Sequence, residues 1–159
     1  MKISLTNNQQ NCYEFRPMLS SDIDYVHALE NEIFVSPWSK HSFEVEVQLP
    51  FSHSYVVQDN NKIIAYIVSW VVEDELHITN VAVHSQYRRR GIASWLLKYM
   101  IDVAMKSTCK QIDLEVRKSN EEAIRLYQRF GFQVIGVRKN YYTSEHEDAL
   151  VMNLKLSAN

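Results

Sequence analysis

The spacing of apolar and polar residues predicts four helices. In the two longest helical segments, apolar side chains recur at steps of three and four, which places them on one face of a helix. Three segments begin at a serine, whose side chain is a common N-cap. The predicted helices run from Ser20 or Ser21 to about Phe34, from Ser39 to about Val47, from Ile92 through Val103, and from a capping box of Ser119 and Glu122 to Phe130.

Runs rich in β-branched and aromatic residues predict strands between these helices. Asp59, Asn60 and Asn61 separate two such runs and are predicted to form a hairpin turn. Gly131 is placed to end the last helix in a left-handed conformation. The predicted strands cover residues 13–16, 54–58, 63–72, 76–83, 111–116, 133–139 and 149–156. This order predicts an α/β fold, with a mixed central β-sheet of about seven strands flanked by about four helices.

Length and composition indicate a single globular domain over residues 1–159. The chain is 46% hydrophobic and 23% charged, and its three Gly and three Pro residues mark no linker. The Asn- and Gln-rich start makes residues 1–11 the segment that we expect to be flexible.

Several classes of function are disfavoured by the bulk properties. A formal net charge of -2 argues against a broad DNA-binding surface, because phosphate binding needs accumulated Lys and Arg. No apolar run is long enough to cross a bilayer, and the polar start does not resemble a signal peptide, so a soluble cytoplasmic protein is expected. Cys12 and Cys109 form no zinc-type spacing, and the six histidines show no ligand spacing, so no metal is expected.

Three consecutive arginines lie between a predicted strand and a predicted helix, in the run Arg88-Arg89-Arg90-Gly91-Ile92-Ala93. The first N–H groups of a helix are unpaired and carry partial positive charge, so they bind anions. Gly91 has no Cβ and lets the backbone approach a ligand closely, and arginines add forked donors. An isolated basic triplet is usually a solvated surface run, but this order of elements predicts a nucleotide phosphate site without a Walker or GxGxxG pattern.

These segments resemble the GNAT acyltransferase superfamily. The likeness is carried by Asn80-Val81-Ala82-Val83, by Arg88-x-x-Gly91-x-Ala93, and by the run from Leu114-Glu115-Val116-Arg117 to Gly131-Phe132. Two further runs, Phe34-x-x-Pro37-Trp38-Ser39 and Arg138-Lys139-Asn140-Tyr141-Tyr142, resemble the RimI family of bacterial protein N-terminal acetyltransferases. The resemblance extends from about Phe34 to Leu154, and it implies the GNAT fold.

Acetyl-CoA is the acetyl donor that the resemblance implies. Backbone groups of Val81 and Val83 would pair with its pantetheine arm, the amides of Arg89 to Ser94 would hold its pyrophosphate, and Asn120 would contact it near a helix start. The implied cofactor-binding residues are Val81, Ala82, Val83, Arg88, Arg89, Arg90, Gly91, Ile92, Ala93, Ser94 and Asn120.

Glu115 and Tyr127 are the candidate catalytic residues. Alternation along the strand puts Glu115 on the face opposite Leu114, where it can face a cleft. The resemblance implies that Glu115 is the general base, directly or through water, and that Tyr127 is the general acid. From the residues alone, the alternatives are a solvated strand carboxylate and a tyrosine in the apolar stripe of its helix.

Aromatic residues are the candidates for an acceptor pocket, since such pockets combine rigid apolar walls with few polar groups. They are Phe34, Trp38, Tyr141 and Tyr142, with Pro37 beside them. For Phe34 and Trp38, the alternative to a binding role is that they only pack in the core. Tyr141 and Tyr142 are expected in an exposed loop between the last two strands.

Three functions are compatible with these features. The first is direct transfer of an acetyl group, in a ternary complex, to the N-terminal α-amine of a protein; for the RimI family this is the N-terminal alanine of a small-subunit ribosomal protein. The second is acetylation of a lysine side chain or a small-molecule amine, and the third is a non-catalytic CoA-binding module. The aromatic runs favour the first over the second, and the presence of both Glu115 and Tyr127 favours catalysis. The oligomeric state is left open, and a monomer is compatible with the sequence.

Overall fold

The computed structural model describes residues 1–7 and 9–157, which contain four α-helices and eight strands. Within this part of the chain there is thus one strand more than the sequence predicts, namely β1, which forms in the start of the chain that the sequence predicts to be flexible. The elements are β1 (Lys2–Asn7), β2 (Gln9–Pro17), α1 (Ile23–Ile33), α2 (Lys40–Gln48), β3 (Tyr55–Asp59), β4 (Lys62–Val72), β5 (Glu75–Val83), α3 (Ile92–Lys106), β6 (Gln111–Arg117), α4 (Glu121–Arg129), β7 (Gln133–Tyr142) and β8 (Glu147–Lys155).

The chain forms two compact units. The first contains the chain up to Ser69 together with Asn80–Lys98, and the second contains Trp70–Thr79 and the chain from Tyr99 onward. Strands β4 and β5 and helix α3 therefore contribute residues to both units. A single domain over 1–159 stays a prediction, and so does flexibility of residues 1–11, of which Asn8 lies outside the described residues.

The first unit contains the strand order β1-β2-β3-β4-β5. β1 pairs with β2, β2 with β3 and β3 with β4, each time antiparallel. The predicted hairpin turn is confirmed: Asp59 is the register partner of Lys62, and Asn60 and Asn61 between them have φ of 47° and 66°. Two successive positive φ values are what a two-residue turn of type I′ requires, and Asn tolerates them.

Helices α1 and α2 contribute to the core of the first unit. Val26 and Leu29 of α1 are buried in one cluster with Phe43 of α2 and Tyr66 of β4. This is the face that the helical spacing of apolar residues predicts. The cluster comprises Met18, Ile23, Val26, Leu29, Phe43, Val56, Ile63, Tyr66, Val68 and Ala82.

The two predicted serine caps in the first unit have different outcomes. Ser39 caps α2 as predicted, since its side chain accepts a hydrogen bond from the Ser42 N–H at 3.1 Å. The prediction that Ser20 or Ser21 caps α1 is wrong, because both lie in a 3₁₀ turn, Ser20–Asp22, that precedes the helix. Asp22 is the N-cap residue of α1, but its carboxylate accepts from the Leu19 N–H, before the helix, at 2.7 Å.

The second unit contains the strand order β4-β5-β6-β8-β7. β5 and β6 run parallel, with Glu75–Ile78 opposite Gln111–Leu114, whereas β8 is antiparallel to β6 and to β7. Side chains of β6 alternate between buried and half-buried along the whole strand. The mixed α/β architecture that the sequence predicts is therefore confirmed.

The ends of α4 are fixed by local hydrogen bonds. Gly131 has φ of +95°, and the N–H groups of Gly131 and Phe132 donate to the carbonyls of Gln128 and Tyr127 at 3.0 and 3.1 Å. This is a Schellman motif, and the predicted role of Gly131 is confirmed. The predicted capping box of Ser119 and Glu122 is not formed, so that prediction is wrong. Asn120 is the N-cap of α4, and its side chain accepts a hydrogen bond from the Ala123 N–H at 3.2 Å.

Candidate active site

A turn in the first unit joins β5 to α3. After Val83, a short 3₁₀ turn over Ser85–Tyr87 leads to Arg89 and Gly91, whose φ values are +61° and +82°. The Trp95 N–H donates to the Gly91 carbonyl at 3.0 Å, as the first turn of a helix requires. The amides of residues 92–94 precede this bond, so they are the unpaired donors with which a helix start binds an anion.

Gly91 leaves open space at this turn. A Cβ built on Gly91 would meet no atom within 4 Å. The positive φ favours glycine, and the absence of a side chain exposes the backbone to a ligand. The turn therefore has the shape and the polarity that a phosphate group needs.

The three arginines at this turn do not behave alike. Arg88 and Arg89 are exposed. Arg90 is half-buried: its guanidinium donates to the Tyr13 hydroxyl at 3.3 Å and to the Gln86 carbonyl at 3.1 Å, and lies over the Tyr87 ring at 4.8 Å. The Arg90 side chain thus stabilises the turn itself, whereas sequence reasoning gave all three side chains to the phosphate.

The strand that precedes the turn is paired with β6 over only part of its length. The parallel register ends at Ile78 and Leu114. Val81 and Val83 lie beyond it and are half-buried, while Ala82 between them is buried. The backbone of this last part of β5 is where the sequence predicts contact with the pantetheine arm.

A buried carboxylate joins the segment around Trp38 to strand β5. Glu30 on α1 is 2% exposed, and its Oε1 accepts from the Trp38 N–H at 2.9 Å. Its Oε2 accepts from Asn80 Nδ2 at 3.0 Å and from the Tyr66 hydroxyl. The carboxylate thus ties three segments of the first unit together, and sequence reasoning did not find it.

Phe34 and Trp38 are partly buried and pack against the core cluster, with the Trp38 ring 5.3 Å from the Phe43 ring. They combine the two roles that the sequence leaves open, since each packs on the core and keeps part of its surface exposed. Pro37 between them is exposed.

Tyr141 and Tyr142 correct the sequence-based expectation of a loop. They are the last two residues of β7, which bulges between Arg138 and Tyr142 and continues to the 3₁₀ turn Thr143–Glu145. Tyr141 is 49% exposed. The Tyr142 ring is half-buried, with the Arg117 guanidinium 3.8 Å from its centroid, and burial raises the pKa of Tyr142 to about 12.

Glu115 lies on the half-buried face of β6, as predicted, and both of its oxygens have partners. Oε2 lies 2.8 Å from Nε2 of His77, and Oε1 lies 3.4 Å from the Arg138 guanidinium. The hydrogen bond with His77 lowers the pKa of Glu115, although burial opposes it, and the charge of Arg138 lowers it further. Glu115 is therefore an anion throughout the neutral range.

Tyr127 is buried in α4, with 7% of the residue exposed, and its ring lies 5.8 Å from the Phe132 ring. Burial, with a smaller contribution from Tyr142, raises the pKa of Tyr127 to about 12. Its phenol therefore keeps its proton at any pH near neutrality. Both the core position and the acid role expected from the sequence are compatible with this environment.

The predicted site residues are divided between the two units. The first unit holds the turn, the last part of β5, Phe34 and Trp38; the second holds Glu115, Asn120, Tyr127, Tyr141 and Tyr142. His77 is a further residue of the second unit that sequence reasoning treated as ordinary. The signal that could have found it is the alternation along the predicted strand 76–83, which puts His77 on the face opposite Leu76 and Ile78.

Within residues 1–7 and 9–157, no group of three or more His, Cys, Asp or Glu side chains could hold a metal ion. In that same part of the chain, no helix combines the length and the apolar character that a membrane span requires.

Comparison with known proteins gives one family match and several relatives over most of the chain. The model of the acetyltransferase (GNAT) family matches residues 23–132. A Bacillus subtilis (strain 168) protein, named by inference as a ribosomal protein bS18-alanine N-acetyltransferase, is 38% identical over 138 residues, which are 86% of this chain and 91% of that protein. The Escherichia coli (strain K12) protein named for the same activity is 34% identical over 140 residues, which are 87% of this chain and 94% of that protein.

A solved structure supports the same likeness. The crystal structure of the ribosomal-protein-S18-alanine N-acetyltransferase from Escherichia coli has a TM-score of 0.85 and 32% sequence identity, covering 92% of this chain and 96% of that one. The similarity therefore extends beyond the segment that the family model matches.

Proposed function

The chain belongs to the acetyltransferase (GNAT) family, and on that premise we propose that it acetylates the N-terminal alanine of the small-subunit ribosomal protein bS18. The chain is an acyltransferase that carries an acetyl group from acetyl-CoA to the N-terminal α-amine of a protein. The observation that supports bS18 is the likeness, over nearly the whole chain, to proteins named for that acceptor. Modification of a ribosomal protein also implies a place in the cytoplasm.

The turn before α3 is the proposed site for the pyrophosphate of acetyl-CoA. The open space at Gly91 and the amides at the start of α3 fit an anion that approaches the backbone. We assign the pyrophosphate to the backbone of Arg89 to Ser94 and the pantetheine arm to Val81 and Val83. Arg88 and Arg89 add positive charge, and Asn120 contacts the cofactor beside the start of α4.

The reaction needs a proton acceptor for the amine. A peptide α-amine has a reference pKa of about 8, so most of it is protonated at neutral pH and cannot attack a thioester. Glu115 is the proposed catalytic carboxylate, held as an anion by His77 and Arg138. It supplies the negative charge that favours removal of this proton.

Tyr127 is the proposed donor to the departing sulfur. Because the pKa of Tyr127 is about 12 and a thiol has a reference pKa of about 8.5, complete transfer of its proton to a thiolate is uphill by about 5 kcal/mol. Tyr127 therefore acts first as a hydrogen-bond donor to the sulfur, and the thiolate takes its final proton from water or from the acid formed on the amine side.

A set of peptides tests the acceptor. The chain is incubated with acetyl-CoA and peptides that carry the N-terminal sequence of bS18, variants of its first residue, and an N-terminally blocked peptide that contains lysine. We expect release of CoA with the alanine peptide, less with bulky or charged first residues, and none with the blocked peptide.

The same set separates the other two functions. Acetylation of the blocked peptide alone would identify a lysine acetyltransferase and contradict the proposal. Binding of acetyl-CoA without turnover of any acceptor would identify a binding module instead.

A further inference from the structure

His77 and Glu115 form a pair in which the imidazole is the accessible partner. Of the His77 side chain 34% is exposed, against 11% for the side chain of Glu115. The two residues lie on parallel neighbouring strands. Asp113 is the register partner of His77, and Glu115 lies two residues further along β6, on the same face as Asp113. A group that approaches this part of β5 and β6 therefore reaches the imidazole more readily than the carboxylate.

Glu115 by itself is a weak proton acceptor. Reference pKa values are about 8 for an α-amine, about 6.5 for an imidazole and about 4.3 for a carboxylate. The pKa difference from the amine is therefore smaller for an imidazole than for a carboxylate, and the proton transfer is less uphill. The contact with His77 lowers the pKa of Glu115, which increases the pKa difference between this carboxylate and the amine. The pair is better suited to the task than Glu115 alone.

We propose that His77 is a further catalytic residue, whose imidazole takes the proton of the acceptor amine while Glu115 orients and stabilises it. An ionised carboxylate only accepts hydrogen bonds, so Nε2 of His77 carries the hydrogen that faces Glu115 and Nδ1 keeps a lone pair. This inference rests on the proposed function, because it assigns the base for that same transfer.

The proton balance of the step is simple. One N–H bond of the α-ammonium group breaks, an N–H bond forms at Nδ1 of His77, and the electron pair stays on the amine nitrogen. The imidazolium that results is stabilised by the negative charge of Glu115. It returns its proton to water after the acetyl group has moved.

The other carboxylates near the pair have their own partners. Asp113 accepts from Asn153 Nδ2 at 2.7 Å and from Gln111 at 3.3 Å. Glu75, on the same face of β5, accepts from the amide of Gln111. In the described part of the chain, Glu115 is therefore the carboxylate that binds this imidazole. The positive charge that faces Glu115 from β7 is Arg138.

His77→Gln tests the proposal, because glutamine keeps an N–H donor for Glu115 but has no basic nitrogen. Turnover of the alanine peptide at saturation is measured between about pH 6.5 and about pH 9.5, which brackets the α-amine. We expect kcat near pH 7 to fall about 100-fold, with the KM for acetyl-CoA changed less than about threefold. The deficit should shrink as pH rises, because the amine then loses its proton to solvent.

Glu115→Gln, alone and combined with His77→Gln, tests whether the two residues act together in the same step. We expect the double variant to lose no more than the more damaged single variant, since groups that act together are not additive. His41→Gln is the matched control: His41 also lies near a glutamate, at 3.6 Å from Glu44, but its side chain is 82% exposed and has no role in the transfer. Its kcat should equal that of the wild type.

Two outcomes would overturn the inference while leaving the function intact: a His77→Gln rate within about twofold of wild type, or a deficit that is equal at every pH. The second outcome would identify a structural role. Circular dichroism and acetyl-CoA binding verify that the variants fold. If His77→Gln does not fold, the same rates and pH profiles are measured for His77→Asn and Glu115→Gln, and they test the inference instead. A wild-type chain that acetylates no free N-terminus would overturn the function and the inference together.

Discussion

Glu30 shows how a single buried residue connects several segments of the first unit. A carboxylate without a cation is costly to bury, and here the cost is offset by donors from Trp38, Asn80 and Tyr66. Burial, with a smaller contribution from Glu30, raises the pKa of Tyr66, so its hydroxyl stays protonated and continues to donate. Removing Glu30 would leave three donors without this acceptor: the buried Tyr66 hydroxyl and the half-buried Trp38 N–H and Asn80 amide.

Glu30→Ala should lower the free energy of unfolding by about 3 to 5 kcal/mol, because orphaned buried donors pay their full desolvation cost. Glu30→Gln should cost less, since its amide oxygen can still accept. Urea unfolding measures both. Glu44→Ala, on the surface of α2 with 44% of the side chain exposed, should stay within about 0.5 kcal/mol of wild type. A Glu30→Ala value as small as that of the control would contradict this account.

Tyr127→Phe should separate catalysis from packing at the other buried residue of interest. The phenyl ring keeps its contact with Phe132, so stability and acetyl-CoA affinity should change little. Loss of the hydroxyl removes the proposed donor to the departing sulfur, and kcat should then fall about 10- to 100-fold. Tyr25→Phe, at a tyrosine that is 67% exposed, is the control. Unchanged turnover in Tyr127→Phe would remove the donor assignment.

At the level of elements, the start of α3 does more than the basic side chains around it. Backbone amides point out of the helix start, Gly91 keeps the space before them open, and Arg90 is engaged with Tyr13 and Gln86. We therefore expect binding of a phosphate at this turn to depend on backbone geometry first and on arginine charge second.

Substitutions at Gly91 test whether the pyrophosphate binds at this turn. Gly91→Asn keeps a residue that tolerates positive φ and should reduce acetyl-CoA affinity modestly, whereas Gly91→Glu adds a negative charge and should abolish measurable binding. Isothermal titration with acetyl-CoA compares the two variants. Retention of wild-type affinity in Gly91→Glu would show that the pyrophosphate binds elsewhere.

At the scale of the whole molecule, the sequence predicts the elements better than their contacts. Helical spacing and strand composition locate all four helices and seven of the eight strands within the described residues, because each face that packs on a core must be apolar. β1 is missed because the Asn- and Gln-rich composition of residues 1–11 favours a flexible start, and the alternation of Ile3 and Leu5 with polar residues covers only a few positions.

The contacts that the sequence misses depend on residues far apart along the chain. Ser20 and Ser21 do not cap α1, because Asp22 is held there by Arg16 of β2 at 2.6 Å. Ser119 does not cap α4: its N–H donates to Glu147 of β8 at 2.8 Å, and the next residue, Asn120, holds the N-cap position. The pairing of His77 with Glu115 needs the parallel register of β5 and β6, which no local pattern encodes.

The central claim is transfer of an acetyl group to one protein N-terminus, and the product of a single reaction tests it most directly. Unacetylated bS18 is incubated with the chain and acetyl-CoA, digested, and sequenced by tandem mass spectrometry. The account predicts one added acetyl group, located on the α-amine of the N-terminal alanine. Acetyl groups confined to lysine side chains, or an unmodified N-terminus after prolonged incubation, would contradict it.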